Sequence, residues 1–184
     1  AQPAVRESLR HCVGLFALSE YLADYLRSQW QVPACALVHP TEVPAQLFDY
    51  ELFLANRQKC VVAIGWWLRR IMSIYHLPLD QHGPYRKLRL LNNSATTNTT
   101  IRAASRLEFV HDWRMRKLEQ RFRDNTHDVA YLPHGEYDAI LSQNIVYLDL
   151  YDASANNAVV ECIARATPLL VNRLPAVVEY LGED

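Results

Sequence analysis

The chain has 184 residues, of which 50% are hydrophobic and 21% charged, and its formal net charge is −1 at pH 7. This length and composition indicate a soluble globular protein of one good-sized domain, or of one domain plus part of another. A net charge so close to zero provides no global basic field, so nucleic acid is not an expected partner. The longest apolar runs, such as Val61 to Leu68, are too short to cross a bilayer, so we expect no transmembrane segment.

The first residues, "AQPAVRESLRH", contain neither an initiator methionine nor the basic-then-apolar pattern of a signal peptide, and they resemble the middle of a longer protein. The cysteines are widely spaced and each lies in an apolar segment. This indicates reduced core thiols in a cytoplasmic protein, rather than a disulfide framework or a zinc site. They are Cys12, Cys35, Cys60 and Cys162. The histidines show no metal-ligand spacing, so no metal is expected.

The N-terminal part of the chain contains one well-marked βαβ unit. A short apolar run, Cys12 to Leu18, predicts a buried parallel strand. Ser19 then serves as the N-cap of a helix, Glu20 to Trp30, in which apolar residues recur at helical spacing. Ala34 to Pro40 predicts the second strand, and a linker with a helical stretch follows it as far as Gln58.

Beyond this linker, short apolar runs alternate with helical patterns, which predicts an α/β fold with a mostly parallel sheet and helices on both faces. The predicted strands are Lys59 to Gly65, Lys87 to Asn93, Val129 to Pro133, Ile145 to Tyr151 and Pro168 to Asn172. The predicted helices are Arg106 to Arg123, His134 to Gln143, Asn156 to Ala166 and Pro175 to Gly182, and residues 93–105 form a polar loop.

Glu161 lies in the middle of the helix Asn156 to Ala166, which is apolar on nearly every side. Burying an unpaired carboxylate costs several kcal/mol, so Glu161 needs a partner. Within the chain, Arg165 is placed for an i,i+4 ion pair, which contributes only a few tenths of a kcal/mol. The alternative partner is a ligand.

The run from Tyr147 to Gly182 resembles the nucleotide-sugar-binding half of GT-B glycosyltransferases, in particular the retaining group that carries a pair of glutamates. "VVECIARATPLLVN" matches the helix with the second glutamate, the Thr-Pro turn and the next strand. At the front, "LFALSEYLADYLRSQWQVPACALVHPTEVP" is similar to the last βαβ unit of the family's N-terminal domain and the crossover from it. The resemblance implies that residues 1–45 are a remnant of that domain and residues 46–184 a Rossmann-like nucleotide-sugar-binding domain. The missing part of the N-terminal domain is then an expected partner.

The resemblance also implies where the donor binds, at the carboxyl ends of the strands, where open α/β sheets place their ligands. Glu161 is expected to accept hydrogen bonds from the ribose hydroxyls of the nucleotide. Ser154, Asn156 and Asn157, at the start of the same helix, are expected to contact the diphosphate together with the helix dipole. An ordinary helix cap explains these three residues equally well.

Arg69 and Arg70 follow the strand Lys59 to Gly65, where the family offers a basic residue to the donor phosphates. Two surface arginines on a short helix are the alternative. Trp66 and Trp67, just before them, suit either stacking on a base or sugar, or an ordinary place in the core.

Some positions depart from the family pattern or match it weakly. The first family glutamate is replaced by Ala153, and Asp152, one residue earlier, is the candidate for its catalytic role. His134, Gly135 and Glu136 resemble the region that contacts the nucleobase, although a plain strand-to-helix turn gives the same pattern.

The resulting hypothesis is that the chain is part of an enzyme. It would be the donor-binding region of a cytoplasmic glycosyltransferase that transfers a sugar from a nucleotide-sugar to an unknown acceptor. No cofactor or metal is expected, because arginines and a helix dipole can offset the charge of the leaving diphosphate. Two alternatives stay open. One is a non-catalytic Rossmann-like binding module, and the other is a nucleotide-sugar epimerase or a phosphorylase of the same fold.

Overall fold

A computed structural model describes residues 3–79, 83–91, 99, 103 and 125–183 of the chain. The α-helices are α1 (Pro3–Leu9), α2 (Glu20–Tyr25), α3 (Tyr50–Ala55), α4 (Ser73–His76), α5 (His134–Gln143), α6 (Asn157–Arg165) and α7 (Pro175–Leu181). A π-helical segment, Leu26–Trp30, follows α2 directly, so the helix predicted at Glu20 to Trp30 is α-helical only as far as Tyr25. The strands are β1 (Leu15–Ala17), β2 (Ala34–Ala36), β3 (Lys59–Ala63), β4 (Tyr85–Leu90), β5 (Thr126–Val129), β6 (Ile145–Leu148) and β7 (Leu169–Val171).

The chain forms two compact units. The smaller unit comprises Ala1–Thr41, Ala153–Val160 and Arg173–Asp184, and the larger unit comprises Glu42–Asp152 and Glu161–Asn172. The division into a remnant (residues 1–45) and a nucleotide-sugar-binding domain (residues 46–184) stays a prediction.

The smaller unit contains the expected βαβ unit, in which β1 and β2 pair in parallel. Ser19 caps α2 as predicted, because its hydroxyl accepts a hydrogen bond from the backbone N–H of Leu22 at 3.1 Å. The Glu179 carboxylate, on α7, accepts from the backbone N–H groups of Glu20 at 2.7 Å and Tyr21 at 3.0 Å. A carboxylate at this position also complements the positive end of the helix dipole. The first turn of α2 therefore has two side-chain caps, one local and one from the other end of the sequence.

The larger unit is built on five parallel strands in the order β5-β4-β3-β6-β7. The chain lays down β3 first, adds β4 and β5 on one side, and then returns to add β6 and β7 on the other side. Rossmann-like sheets follow this course. With helices flanking the sheet, the predicted fold class, α/β with a Rossmann-like parallel sheet, is confirmed.

In one core cluster of the larger unit, α4 and the residue just before it pack against the sheet. Val61 of β3 packs with Met72, Ile74 and Tyr75, all of them buried. Lys87, in the middle of β4, is also fully buried, and its Nζ donates hydrogen bonds to the backbone oxygens of Tyr75 at 2.9 Å and of Leu77 at 3.4 Å. Burial lowers the pKa of Lys87 to about 8. A cation thus holds the end of α4 against the sheet.

One strand prediction is wrong. A strand was expected at Val129 to Pro133, but β5 spans Thr126–Val129. It therefore ends at the residue where the predicted strand begins. β5 is an edge strand, and its exposed His127 and Asp128 gave no apolar run to recognise. The other strands are shorter than predicted. The helix predicted at residues 106–123 lies outside the described residues, as does nearly all of the loop predicted at residues 93–105.

All four cysteines are free thiols. Cys162 is buried as expected, but Cys12 and Cys35 are exposed, so the prediction of core thiols is wrong for these two. Cys12 is exposed because β1 starts only at Leu15. Among the described residues, no helix is long and apolar enough to cross a membrane.

Candidate functional site

The strand order of the larger unit points to one place for a ligand. β3 and β6 are neighbours, but the connections that follow them run to opposite sides of the sheet. Between such strands the loops at the carboxyl ends part and leave a crevice, which is where open α/β sheets bind ligands.

A pocket lies at this place, with an empty volume of about 290 Å³ that includes its open mouth. Its walls come from the ends of β3, β4 and β6 and from the segment between β3 and α4. Among the described residues, three arginines and one aspartate line it, so this part of the lining is net positive. The polar lining residues are Arg69, Arg70, Ser73, Arg89, Tyr147 and Asp149.

Arg69 lies in this pocket against the backbone of Gly65. Gly65 has a φ of +70°, and a Cβ on it would come within 2.6 Å of the guanidinium carbon of Arg69. Any other residue at this position would therefore displace Arg69 as well as strain the turn. Burial lowers the pKa of Arg69, while Tyr137 and Glu161 act in the opposite direction. The guanidinium stays charged, since free arginine titrates only above pH ~12.

Arg70 is held by the end of β6. Its Nη1 donates to Asp149 Oδ1 at 2.7 Å and to the backbone oxygen of Leu150 at 3.2 Å. An antiparallel bridge between Arg69 and Leu150 ties the two loops together. The side chain of Arg70 is 52% exposed, so this ion pair is open to solvent and to ligands.

Arg89, at the end of β4, is a third pocket arginine that sequence reasoning missed. Its Nη1 donates to the hydroxyl of Tyr75 at 2.9 Å, and that hydroxyl donates to Asp128 Oδ1 at 2.6 Å. Burial raises the pKa of Tyr75, with a further contribution from Asp128, so the phenol is protonated and able to donate. The only sequence signal for Arg89 was its place within a predicted strand, Lys87 to Asn93.

Glu161 has a partner within the chain. Tyr137, on α5, donates its hydroxyl to Glu161 Oε2 at 2.6 Å. The alternative of an ion pair with Arg165 is wrong, because the Arg165 guanidinium donates to Asp138 Oδ1 from Nε at 3.1 Å and from Nη2 at 2.5 Å. Arg165 reaches Glu161 only at its backbone oxygen, at 3.2 Å. Burial, followed by the Glu161 charge, raises the pKa of Tyr137, which keeps this hydrogen-bond donor protonated.

The residues at the start of α6 belong to the smaller unit. Asn156 Oδ1 accepts from the backbone N–H of Ala158 at 3.1 Å, which is the ordinary cap considered from the sequence. Ser154 is half-buried and Asn157 exposed. Ala153, at the position of the first family glutamate, is 3% exposed, while Asp152 is exposed. Roles for these residues in donor binding or catalysis stay predictions.

The remaining candidates are on the surface. Trp67 is 65% exposed and contacts Trp66 edge-on, with ring centroids 5.4 Å apart, so a core role is wrong for Trp67. His134, Gly135 and Glu136 form the exposed first turn of α5, in which both interpretations stay open. Among the described residues, no group of three or more His, Cys, Asp or Glu side chains is placed to hold a metal ion.

Comparisons with known proteins support the fold alone. No protein-family model matches the chain, and no curated protein matches it in sequence. Among solved structures, trehalose-6-phosphate synthase OtsA matches with a TM-score of 0.50 and 9% sequence identity, over 80% of this chain and 38% of that one. The chain thus spans well under half the length of this neighbour. The likeness, to a GT-B glycosyltransferase, is consistent with the expected GT-B fold.

Proposed function

We propose that this chain is the donor-binding region of a GT-B glycosyltransferase, and that a nucleotide-sugar binds at the carboxyl edge of the five-stranded sheet. The observation that carries the proposal is the arginine-lined pocket between the ends of β3 and β6. A nucleoside diphosphate leaves with negative charge, and guanidinium groups fixed in a crevice stabilise that charge as it develops. The fold of OtsA, a synthase of a sugar phosphate by name, supports the same reaction class.

Glu161 is our candidate for the ribose. Tyr137 occupies Oε2, and within the described part of the chain Oε1 accepts no hydrogen bond. A carboxylate held on one oxygen and open on the other is suited to accept from a ribose hydroxyl. Its electrostatic coupling to Arg69 supports a common site for ribose and phosphate.

The remaining roles are those that the resemblance of the sequence to GT-B glycosyltransferases implies. We assign Ser154, Asn156 and Asn157 to the diphosphate and Asp152 to the place of the first family glutamate. The acceptor and the rest of the N-terminal domain complete the enzyme. The cytoplasm is the proposed location, since the exposed thiols Cys12 and Cys35 are free.

Titration calorimetry with uridine diphosphate and guanosine diphosphate tests the proposal on the longest available chain. We expect Arg69→Ala combined with Arg70→Ala to lower the affinity at least about tenfold, the effect of losing charge-assisted hydrogen bonds. The matched control is Arg57→Ala combined with Arg86→Ala, which removes the same charge from exposed positions. Equal affinities of the two double variants would exclude the arginines from the site.

One observation favours a second function, a Rossmann-like module that binds nucleotides without catalysis. Ala153 is almost completely buried, so a glutamate does not fit there without rearrangement. The glycosyltransferase and the non-catalytic module differ in whether free nucleoside diphosphate is released from uridine diphosphate sugars and guanosine diphosphate sugars. Binding without release, in the presence of the N-terminal domain and a panel of sugar acceptors, supports the non-catalytic module.

A further inference from the structure

Arg89 differs from its two neighbours in the pocket. It points from the end of β4, and its guanidinium carbon lies 5.7 Å from the ring centre of Tyr75. Of the five N–H donors of a guanidinium, one is used, in the bond to the Tyr75 hydroxyl. Within the described residues no carboxylate contacts Arg89 directly.

Its position is nevertheless fixed. The Tyr75 hydroxyl accepts from Arg89 and donates to Asp128, so the three side chains form a directed chain of hydrogen bonds. Tyr75 itself is 6% exposed, and Lys87 binds its backbone oxygen. Arg89 therefore extends from a rigid support, with most of its donors unused, into a crevice that is already positive.

We propose that Arg89 is an anion-binding residue of this pocket, and that Tyr75 and Asp128 position it. The ligand group that we assign to it is a diphosphate, because two linked phosphate groups offer the N–H donors of three arginines more acceptor oxygens than one phosphate does. This deepens the proposed function and rests on it for the nature of the ligand. The cation–π contact with the buried ring of Tyr75 favours one plane for the guanidinium, which suits two parallel N–H···O bonds to phosphate oxygens.

Inorganic pyrophosphate, with orthophosphate for comparison, is the probe. We expect Arg89→Gln to weaken pyrophosphate binding at least about tenfold, and to bring it close to that of orthophosphate. Arg86→Gln is the matched control, because Arg86 is an exposed arginine of the same strand that faces the opposite side of the sheet. We expect it to change affinity less than about twofold.

The positioning role has its own readout. Tyr75→Phe keeps the ring but removes the hydroxyl that joins Arg89 to Asp128. We expect a smaller loss of pyrophosphate affinity, about threefold, which disappears when the change is made in Arg89→Gln. A merely structural tyrosine gives the same loss in both backgrounds, and that result overturns the positioning role.

The outcomes separate this inference from the proposed function. If Arg89→Gln and Arg86→Gln bind pyrophosphate equally well, or if the unaltered protein does not bind it, the inference is overturned. If Arg69→Ala with Arg70→Ala weakens uridine diphosphate binding while Arg89→Gln does not, only Arg89 is excluded. If pyrophosphate binding depends on Arg89 but nucleoside diphosphates bind no tighter than pyrophosphate, the role of Arg89 in anion binding is retained and the proposed nucleotide site is excluded. Should Arg89→Gln fail to fold, Arg89→Lys keeps the charge but removes the fork, and unchanged pyrophosphate affinity in it overturns the two parallel N–H···O bonds that we propose for Arg89.

Discussion

Two groups of charged side chains in the larger unit differ in how their charges are matched. The helix-pair group consists of Tyr137 and Asp138 on α5 and of Glu161 and Arg165 on α6. There Arg165 and Asp138 are 9% and 14% exposed and bind each other directly. In the pocket, Arg89 has a phenol as its only hydrogen-bond partner among the described residues.

The difference shows that an arginine is not a site by itself. A buried arginine whose carboxylate is supplied by the fold contributes to stability, and removing that carboxylate leaves a buried charge uncompensated. An arginine at a crevice that lacks a carboxylate of its own is available to an anion from solution. We therefore expect changes in the helix-pair group to act on stability, and changes in the pocket to act on binding.

The largest effect is expected at Asp138. Asp138→Asn keeps the shape of the side chain but leaves Arg165 without its charged partner, and we expect the free energy of unfolding to fall by about 3 kcal/mol or more. Urea unfolding measures this. The control is Asp24→Asn, which breaks the exposed pair of Arg27 and Asp24, with side chains 42% and 73% exposed. It should cost much less than Asp138→Asn, because solvent screens the exposed pair. Equal losses in the two variants would contradict the distinction between the groups.

A second prediction concerns Lys87, a buried cation whose cost depends on pH. In the folded chain its pKa is lowered from 10.5 to about 8, so above pH 8 the unfolded chain binds more protons than the folded chain. The contribution of Lys87 to stability should therefore rise from pH 8 towards pH 10.5, by up to about 3 kcal/mol, and stay at its lower level below pH 8.

Lys87→Met tests the source of this rise. We expect it to be more stable than the unaltered protein below pH 8, by a margin that shrinks between pH 8 and about 9.5. Burial raises the pKa of Cys60, Cys162, Tyr75 and Tyr137, so their ionisation in the unfolded chain lowers stability as pH rises, but both proteins contain these groups and they cancel in the comparison. A margin that does not change with pH would contradict the role of Lys87.

The bounds of the predicted helices agree with the structure better than those of the predicted strands, although α1 and α4 were not predicted. The helix His134 to Gln143 is found with the predicted bounds, because Pro133 precedes its first residue and polar residues lie at its end. β5 is displaced, because an edge strand need not be apolar. The strand order, which creates the pocket, depends on pairing between distant segments and carries no local pattern.

Side-chain partners were harder to predict than elements. Spacing on one helix suggested Arg165 for Glu161, but Asp138, from α5, binds Arg165 instead. Likewise Tyr75 and Asp128 are 53 positions apart in sequence and share a hydrogen bond. Local spacing lists possible neighbours on an element, whereas packing between elements decides which of them meet.

The third prediction separates ligand binding from stability at Glu161. Glu161→Gln retains an oxygen for Tyr137 but removes the charge, and we expect nucleoside diphosphate affinity to fall by about 1–3 kcal/mol. Tyr137→Phe removes the other half of the same hydrogen bond and is the matched control. We expect it to lower the free energy of unfolding by about 1 kcal/mol and to leave most of the nucleoside diphosphate affinity unchanged. If both variants lose stability and neither loses affinity, Glu161 belongs to the fold and not to the ribose site.

The smallest effect is expected at Asp149, which forms within the pocket an ion pair like that of the helix-pair group. Asp149 binds Arg70 as Asp138 binds Arg165, but the side chain of Arg70 is 52% exposed. Solvent screens this pair, so Asp149→Asn should lower the free energy of unfolding by less than about 1 kcal/mol. The same change releases Arg70 towards the pocket. It also removes the one negative charge that the described residues contribute to the pocket lining. Pyrophosphate affinity should therefore rise, by about twofold to fivefold, while stability falls slightly. A loss of affinity in Asp149→Asn would mean that Asp149 orients Arg70 for the ligand, and that ion pairing and ligand binding are not alternatives at this arginine.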